Sequence, residues 1–330
     1  MNRPAKNDEA ALQAARELAP QPETDFGLFH PRVMFPFLLL SLIWGSTWLV
    51  IRDQINSVPA GWSVTYRFIV AAAGMFALAK IMGLKIAIDA RAHRWAVLVG
   101  LLQFMLNFNL VYAAEHYVTS GLVAVLFALL IVPNAILGRF LLDKPVTLNF
   151  WIGSSIAIIG VGMLILREYR VAPVGANEVL IGTCLTIVGV IGVSFANVLQ
   201  ASHRLNRFPI VSVLAWAMFY GMAINVIWSL IFHGLPVWDS RPSYAWGIAY
   251  LAIIGSVVTF PLYFGLIRDI GPGKAAYTSV FVPVVAMLLS TLFEGYVWSG
   301  LAAGGAALAV IGLLISMRVG KAQNKGKRSI

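Results

Sequence analysis

From residue 34 onward the chain alternates long apolar runs with short polar breaks. Ten runs stand out: 34–51, 62–80, 95–114, 120–141, 148–166, 179–200, 209–232, 245–266, 274–293 and 297–317. A helix needs about 20 apolar residues to cross roughly 30 Å of hydrocarbon, and each run approaches or reaches that length. Their interiors carry no charge except Arg67 in the second, while Arg139 sits near the end of the fourth. The pattern predicts an all-α integral membrane protein with ten transmembrane helices.

The flanks are different in kind. Residues 1–33 carry nine charges and four prolines and read as a tail, with a weak helix expected over Asp8–Ala19. No apolar stretch of signal-peptide type follows Met1, so the first apolar segment is expected to direct insertion itself. Residues 318–330 form a basic tail. Composition agrees with a bilayer: 59% of residues are hydrophobic and 12% charged, about half the charged share of soluble domains. The net charge of +10 could point to nucleic acid. The placement of the basic residues argues against it. With the N-terminus in the cytoplasm, nineteen of the 24 Lys and Arg residues fall on cytoplasmic segments and four outside: Arg52, Arg167, Arg170 and Arg241. That asymmetry predicts both termini inside and makes the cations topology determinants. The single cysteine, Cys184, lies within an apolar run and reads as a small buried residue.

The chain also repeats itself. Gly45 aligns with Gly192, Ser63 with Ser212, Pro133 with Pro283, Asp143 with Glu294, and Gly160 with Gly312. The offset drifts slowly, as a duplication with a few loop changes would leave it. Five helices is an odd number, so the second half enters the membrane from the opposite side. The expected organisation is a five-helix repeat over 34–166, a linker over 167–178, and an inverted second repeat over 179–317. Inverted pairs recur in secondary transporters, with the substrate near the midplane between them.

Several stretches carry a family likeness. Leu42-Ile43-Trp44-Gly45-Ser46-Thr47-Trp48 lies in the first segment and Arg67-Phe68 in the second. Pro133 and Asp143 mark the fourth; Gly273-Lys274-Ala275-Ala276, Pro283 and Glu294 mark the ninth. This pattern resembles the EamA-type members of the drug/metabolite transporter superfamily over residues 34–317. Asp143 departs from the family's more frequent glutamate but keeps the carboxylate. The resemblance implies a bacterial inner-membrane exporter of amino acids, related metabolites or drugs, and selects no substrate.

Polar groups inside hydrocarbon are costly and each calls for a reason. Arg67 is either a cavity cation for a substrate carboxylate or an arginine that snorkels to the outer headgroups. In the third segment Gln103 and Asn107 share one face, Asn109 and Tyr112 another; one face is expected to line a wet cavity, and hydrogen bonding between helices is the alternative. Trp44, Thr47 and Trp48 share a face of the first segment, and the resemblance favours a substrate-facing role for them. Ser194 and Asn197 occupy the matching region of the sixth. Trp216, aligned with Arg67, shares a face with Tyr220; Thr259 and Tyr263 flank Pro261 in the eighth. Pro133 and Pro283 interrupt matching helices and are candidate hinges. Small-residue pairs, Gly153 with Ala157, Gly300 with Gly304 and Gly305 with Ala309, suit close helix packing or a homodimer contact.

Absences narrow the function. No Asp or Glu lies mid-span; Glu115, Asp143 and Glu294 all sit near span ends, so any proton coupling would use Glu115, Glu294 or the substrate's own charge, and a facilitator or exchanger fits as well. No nucleotide-binding loop, clustered acids of an enzyme on lipid-linked substrates, or metal site among the five histidines is visible. The expectation is a non-enzymatic transporter without cofactors, with a small-molecule substrate and the bilayer as partners. A lipid or lipid-linked sugar flippase on the same fold is the alternative.

Overall fold

The computed structural model describes residues 31–142, 146–171, 175–202, 204–205, 207–263 and 278–316. The expectations for both tails, Asp143 and the Gly273–Ala276 stretch lie outside the described residues. The described residues form helices joined by short turns. They are α1 (Pro31–Gln54), α2 (Ala60–Ile81), α3 (Ala90–Ala114), α4 (Ser120–Ala128), α5 (Ile131–Leu142) and α6 (Leu148–Val171). Then come α7 (Ala176–Ala201), α8 (Ile210–His233), α9 (Pro242–Tyr263), α10 (Thr278–Phe293) and α11 (Gly300–Ser316). Among the described residues eight helical stretches are long and apolar enough to span a bilayer, with α4 and α5 counted as one; α10 and α11 are shorter and apolar.

Local chemistry sets the breaks. Asp89 caps α3, its carboxylate accepting from Ala92 N at 2.7 Å. At the end of α2, Gly83 takes a left-handed φ of 64°. The Leu84 amide then folds back 2.9 Å onto the Ala79 carbonyl, closing the helix. The expected fourth helix is split, and Pro133 explains where. Lacking an N–H, it cannot bond the Leu129 carbonyl four residues earlier, so Val132 N takes that carbonyl instead at 2.9 Å. Leu129 and Leu130 become a turn between α4 and α5. Two π-helical stretches, Gly100–Leu106 in α3 and Tyr250–Val258 in α9, lie on either side of the central cavity described below.

Packing runs between the two halves of the chain. α2 lies on α8, α1 on α10, the end of α3 on α7, and α6 on α11. The α6–α11 seam is built from small residues: a side chain on Gly153, Gly160 or Gly312 would run into the backbone of the facing helix. Gly305 also belongs to this seam, but Gly300 faces open space. The outward faces remain apolar, with Phe140, Leu148, Ile159 and Leu288 all more than half exposed. Such a surface suits lipid and not water. Cys184 is exposed on it, contrary to the buried position expected, because a thiol is apolar enough to face lipid.

Candidate functional site

A central cavity of about 1050 Å³, counting its open mouth, lies between the halves. The first half contributes Trp44, Thr47 and Trp48 from α1, Arg67 from α2, Gln103, Asn107 and Phe108 from α3, and Phe127 from α4. From the second half come Asn197 of α7, Gly255, Phe260 and Tyr263 of α9, and Thr278, Val282 and Pro283 of α10.

Arg67 does not snorkel. Its residue is 2% exposed. Nη2 donates to Ser256 Oγ at 3.2 Å, and the guanidinium stacks on the Phe108 ring, 4.3 Å from its centroid. Among the described residues Nε and Nη1 meet no partner at hydrogen-bond geometry, Tyr112 being the polar side chain that acts on the guanidinium, and no carboxylate pairs with the charge. A buried cation with free donors is far from its lowest energy until an anion reaches it. Trp48 Nε1 and Asn107 Oδ1 are likewise buried without partners among the described residues, Asn107 being 4% exposed. Arg67 and Trp48 offer donors and Asn107 an acceptor, amid an aromatic wall.

The surrounding shell fixes these groups. Trp44 Nε1 donates to Thr259 Oγ1 at 3.0 Å, which orients the indole against Phe260 and Tyr263. Gln103 Oε1 accepts from Gln200 Nε2 at 2.6 Å, tying α3 to α7. The Trp48 ring packs on Phe127 at 5.2 Å.

Of the sequence candidates, Trp44, Thr47, Trp48, Arg67, Gln103, Asn107, Asn197, Tyr263 and Pro283 line the cavity. The other candidates do not. Asn109 faces away, donating to Asn225 Oδ1 at 2.6 Å in a buried network. Asn225 Nδ2 continues that network to Gly61 O and Thr65 Oγ1. Tyr112 is buried with its hydroxyl on Gln54 Oε1 at 3.1 Å. Ser194 is buried in helix packing. Thr259 stands behind Trp44. Trp216 and Tyr220 lie under the α2–α3 connection, where Trp216 Nε1 donates to Ile86 O and the Tyr220 hydroxyl meets His93 Nδ1 at 2.8 Å. Pro133 breaks its helix but does not line the cavity. Ile51, Phe108, Val111, Phe127, Val193, Phe260 and Val282 were not singled out, because in a segment apolar throughout nothing marks which apolar residue faces a cavity.

At the Trp48 end of the cavity the two halves meet through polar side chains. There Glu115, in the α3–α4 turn, and Glu294, just past α10, converge on Ser120 at the start of α4. Ser120 Oγ lies 3.0 Å from Glu115 Oε2, 2.7 Å from Glu294 Oε1 and 3.3 Å from the Trp48 carbonyl. Ser290 Oγ donates to the other oxygen of Glu294. Beside them Thr119 donates to Glu168, which is paired with Arg167 at 3.3 Å.

The sequence profile of the EamA-like transporter family matches the chain twice, over residues 32–166 and 180–318. The chain is 22% identical over 261 residues to the uncharacterized transporter YoaV of Bacillus subtilis, covering 79% of this chain and 88% of that protein. It is 29% identical over 260 residues to the uncharacterized inner membrane transporter YedA of Escherichia coli, covering 78% and 81% respectively. A solved crystal structure, 20% identical, superposes with a TM-score of 0.63 over 86% of this chain and 95% of that one, a likeness of fold. With helices apolar enough to span a bilayer, and with both halves matched by one family, the chain is a multi-pass membrane protein that belongs to the EamA-like transporter family, an EamA-type drug/metabolite transporter.

Proposed function

We propose that the protein is a secondary transporter that carries small amphipathic carboxylates, amino acids or related metabolites, outward across a bacterial inner membrane. The observation that carries this reading is Arg67: a buried guanidinium whose Nε and Nη1 have no hydrogen-bond partner among the described residues, facing a cavity walled by Trp44, Trp48, Phe108 and Phe260. A substrate carboxylate supplies the missing counter-charge, its apolar body rests on the aromatic wall, and a donor such as an ammonium group meets Asn107 Oδ1. A cationic drug gains nothing from the arginine.

The transport mechanism is alternating access by two inverted five-helix halves, with both termini in the cytoplasm and ten crossings. The double family match and the packing of α2 on α8 and α6 on α11 support a duplicated architecture. The Lys and Arg asymmetry supports the orientation. The similar YedA is an inner membrane transporter, which supports the location. Binding at the junction of the halves lets one site face each side in turn.

Equilibrium binding of a pooled set of labelled amino acids to the purified protein tests the substrate class. A charge-assisted hydrogen bond contributes about 1.5–3 kcal/mol. Losing one in Arg67→Gln therefore weakens binding by about 10- to 150-fold. Binding of that pool unchanged by Arg67→Gln refutes the assignment.

A further inference from the structure

We infer that Glu115, Glu294 and Ser120 form a proton-binding site whose occupancy holds this end of the cavity shut. The inference rests on the transporter reading only for its purpose; the proton itself is read from geometry.

The argument is a count of hydrogens. A serine hydroxyl carries one hydrogen. Ser120 Oγ nevertheless stands within 3.0 Å of one carboxyl oxygen on each of two glutamates. It can donate to one of them. If both glutamates are ionised, the other contact sets a lone pair against a lone pair at hydrogen-bond distance, next to a second negative charge. One carboxyl O–H repairs this: Glu115 donates to Ser120, and Ser120 donates to Glu294. Ser290 already supplies a hydrogen to the far oxygen of Glu294. Glu115 is 0% exposed, and its Oε1 is buried with no hydrogen-bond partner among the described residues, an arrangement a neutral carboxyl tolerates and a carboxylate does not.

The charged neighbours do not offer a substitute for the proton. Arg167, at the end of α6, is committed to Glu168 and to the Tyr296 ring, 4.4 Å away. Arg52, at the end of α1, attracts Glu115 through space but forms no ion pair with either glutamate within 4.0 Å among the described residues. His116, beside Glu115, is held neutral more readily than a free imidazole by burial and by Arg52. Tyr112 on α3 keeps its hydroxyl on Gln54. Burial pushes the Glu115 carboxyl well above the ordinary range, and nearby Glu294 adds to this against the pull of Ser120 and Arg52.

The site also spans the joint that must open. α4 belongs to the first half and α10 to the second, and they meet closely at Gly121, where a side chain would strike Met287 Sδ at 2.6 Å. Separating them breaks the Ser120–Glu294 contact. Water then reaches the pair, the Glu115 O–H bond breaks, its proton leaves to solvent, and two carboxylates remain that repel reclosure. Ser120 also touches the carbonyl of Trp48, whose indole lines the cavity, so the seal is one residue from the binding space. The sign follows from linkage. The closed end binds the proton more tightly than the open one, so closure is favoured at low pH and weakens as pH rises through the closed-state titration.

Two readouts test this. In purified full-length protein in nanodiscs, infrared difference spectra are expected to show a protonated-carboxyl stretch at neutral pH that is lost in Glu115→Gln. Absence of the band in the wild type, or a band untouched by Glu115→Gln and Glu294→Gln alike, overturns the proposal. Glutamine matches a neutral glutamate in shape and hydrogen bonding, so these variants should fold, and thermal unfolding checks that they do. In a Cys184→Ala background, Ile51→Cys reports opening through its rate of labelling by an impermeant maleimide from the Glu115 side. That rate is expected to rise with pH, by about tenfold for each pKa unit separating the closed and open states, and to lose its pH dependence in Glu115→Gln. The same pH profile with and without Glu115 overturns it. Neither readout requires a transported substrate, so failure here is distinguishable from failure of the transporter assignment.

Discussion

Gly160 and Gly162 sit two residues apart on α6 and face opposite environments. A Cβ on Gly160 would lie 2.5 Å from Gly305 O and 2.9 Å from the carbonyl carbon of Leu308, and would also strike Ala309 N. All three are backbone atoms, so no side chain can step aside and α11 itself must move. A Cβ on Gly162 meets nothing within 4 Å among the described residues. Both alanine substitutions gain the same helix preference, about 0.8–1.0 kcal/mol in soluble helices, and that gain cancels between them. What remains is the overpacking cost at Gly160, about 1–3 kcal/mol for a methyl forced into a filled space. Gly160→Ala should therefore be less stable than Gly162→Ala by that amount, with Gly162→Ala at or above wild type. Thermal and denaturant unfolding of the detergent-purified proteins, followed by tryptophan fluorescence, measures the difference. Equal stabilities, or the reverse order, would refute the reasoning that α6 and α11 meet backbone to backbone.

Two asparagines in the membrane should separate in the same way. Asn225 makes three hydrogen bonds, to Asn109, Gly61 and Thr65. At about 0.6 kcal/mol each in a membrane interior, Asn225→Leu should lose about 2 kcal/mol of stability. Asn107, with a buried unpartnered oxygen, should tolerate Asn107→Leu without loss and show the defect in substrate binding instead; the same unfolding assay reads both, and equal destabilisation contradicts the division. Arg67→Gln should likewise unfold no earlier than wild type while binding falls, since it removes an uncompensated buried charge; a clear fall in stability would mark Arg67 as structural.

The membrane class and the helix positions were legible because a spanning helix must satisfy its own backbone and present apolar side chains, and both demands write long runs into the sequence. The split at Leu129–Leu130 was half legible: Pro133 announced an interruption, but the break falls one turn earlier, where its missing N–H leaves a carbonyl. Inside the cavity, polar residues were easy to nominate and hard to sort. Asn107 and Asn109 look alike in sequence, yet α3 turns one into the cavity and the other onto Asn225. Trp216 matched Arg67 in the repeat but lies under the α2–α3 connection, because pairing by sequence offset does not fix depth along a helix. Of the aromatic wall Trp44 and Trp48 were legible, but Phe108 and Phe260 gave no signal, since they differ from lipid-facing phenylalanines only in direction. The Glu115–Glu294 pairing needed the tertiary structure, as 179 positions of sequence separate two ends that packing brings to one serine.

Counterflow in proteoliposomes tests the central claim most directly. Vesicles loaded with unlabelled amino acids and given the labelled pool outside should accumulate label with the wild-type protein and lose that accumulation with Arg67→Gln. A parallel pool of cationic drugs should not exchange. Exchange of the drug pool indifferent to Arg67, or no exchange of amino acids by protein shown to be folded, would contradict the account of a carrier that holds its substrate by a carboxylate on Arg67.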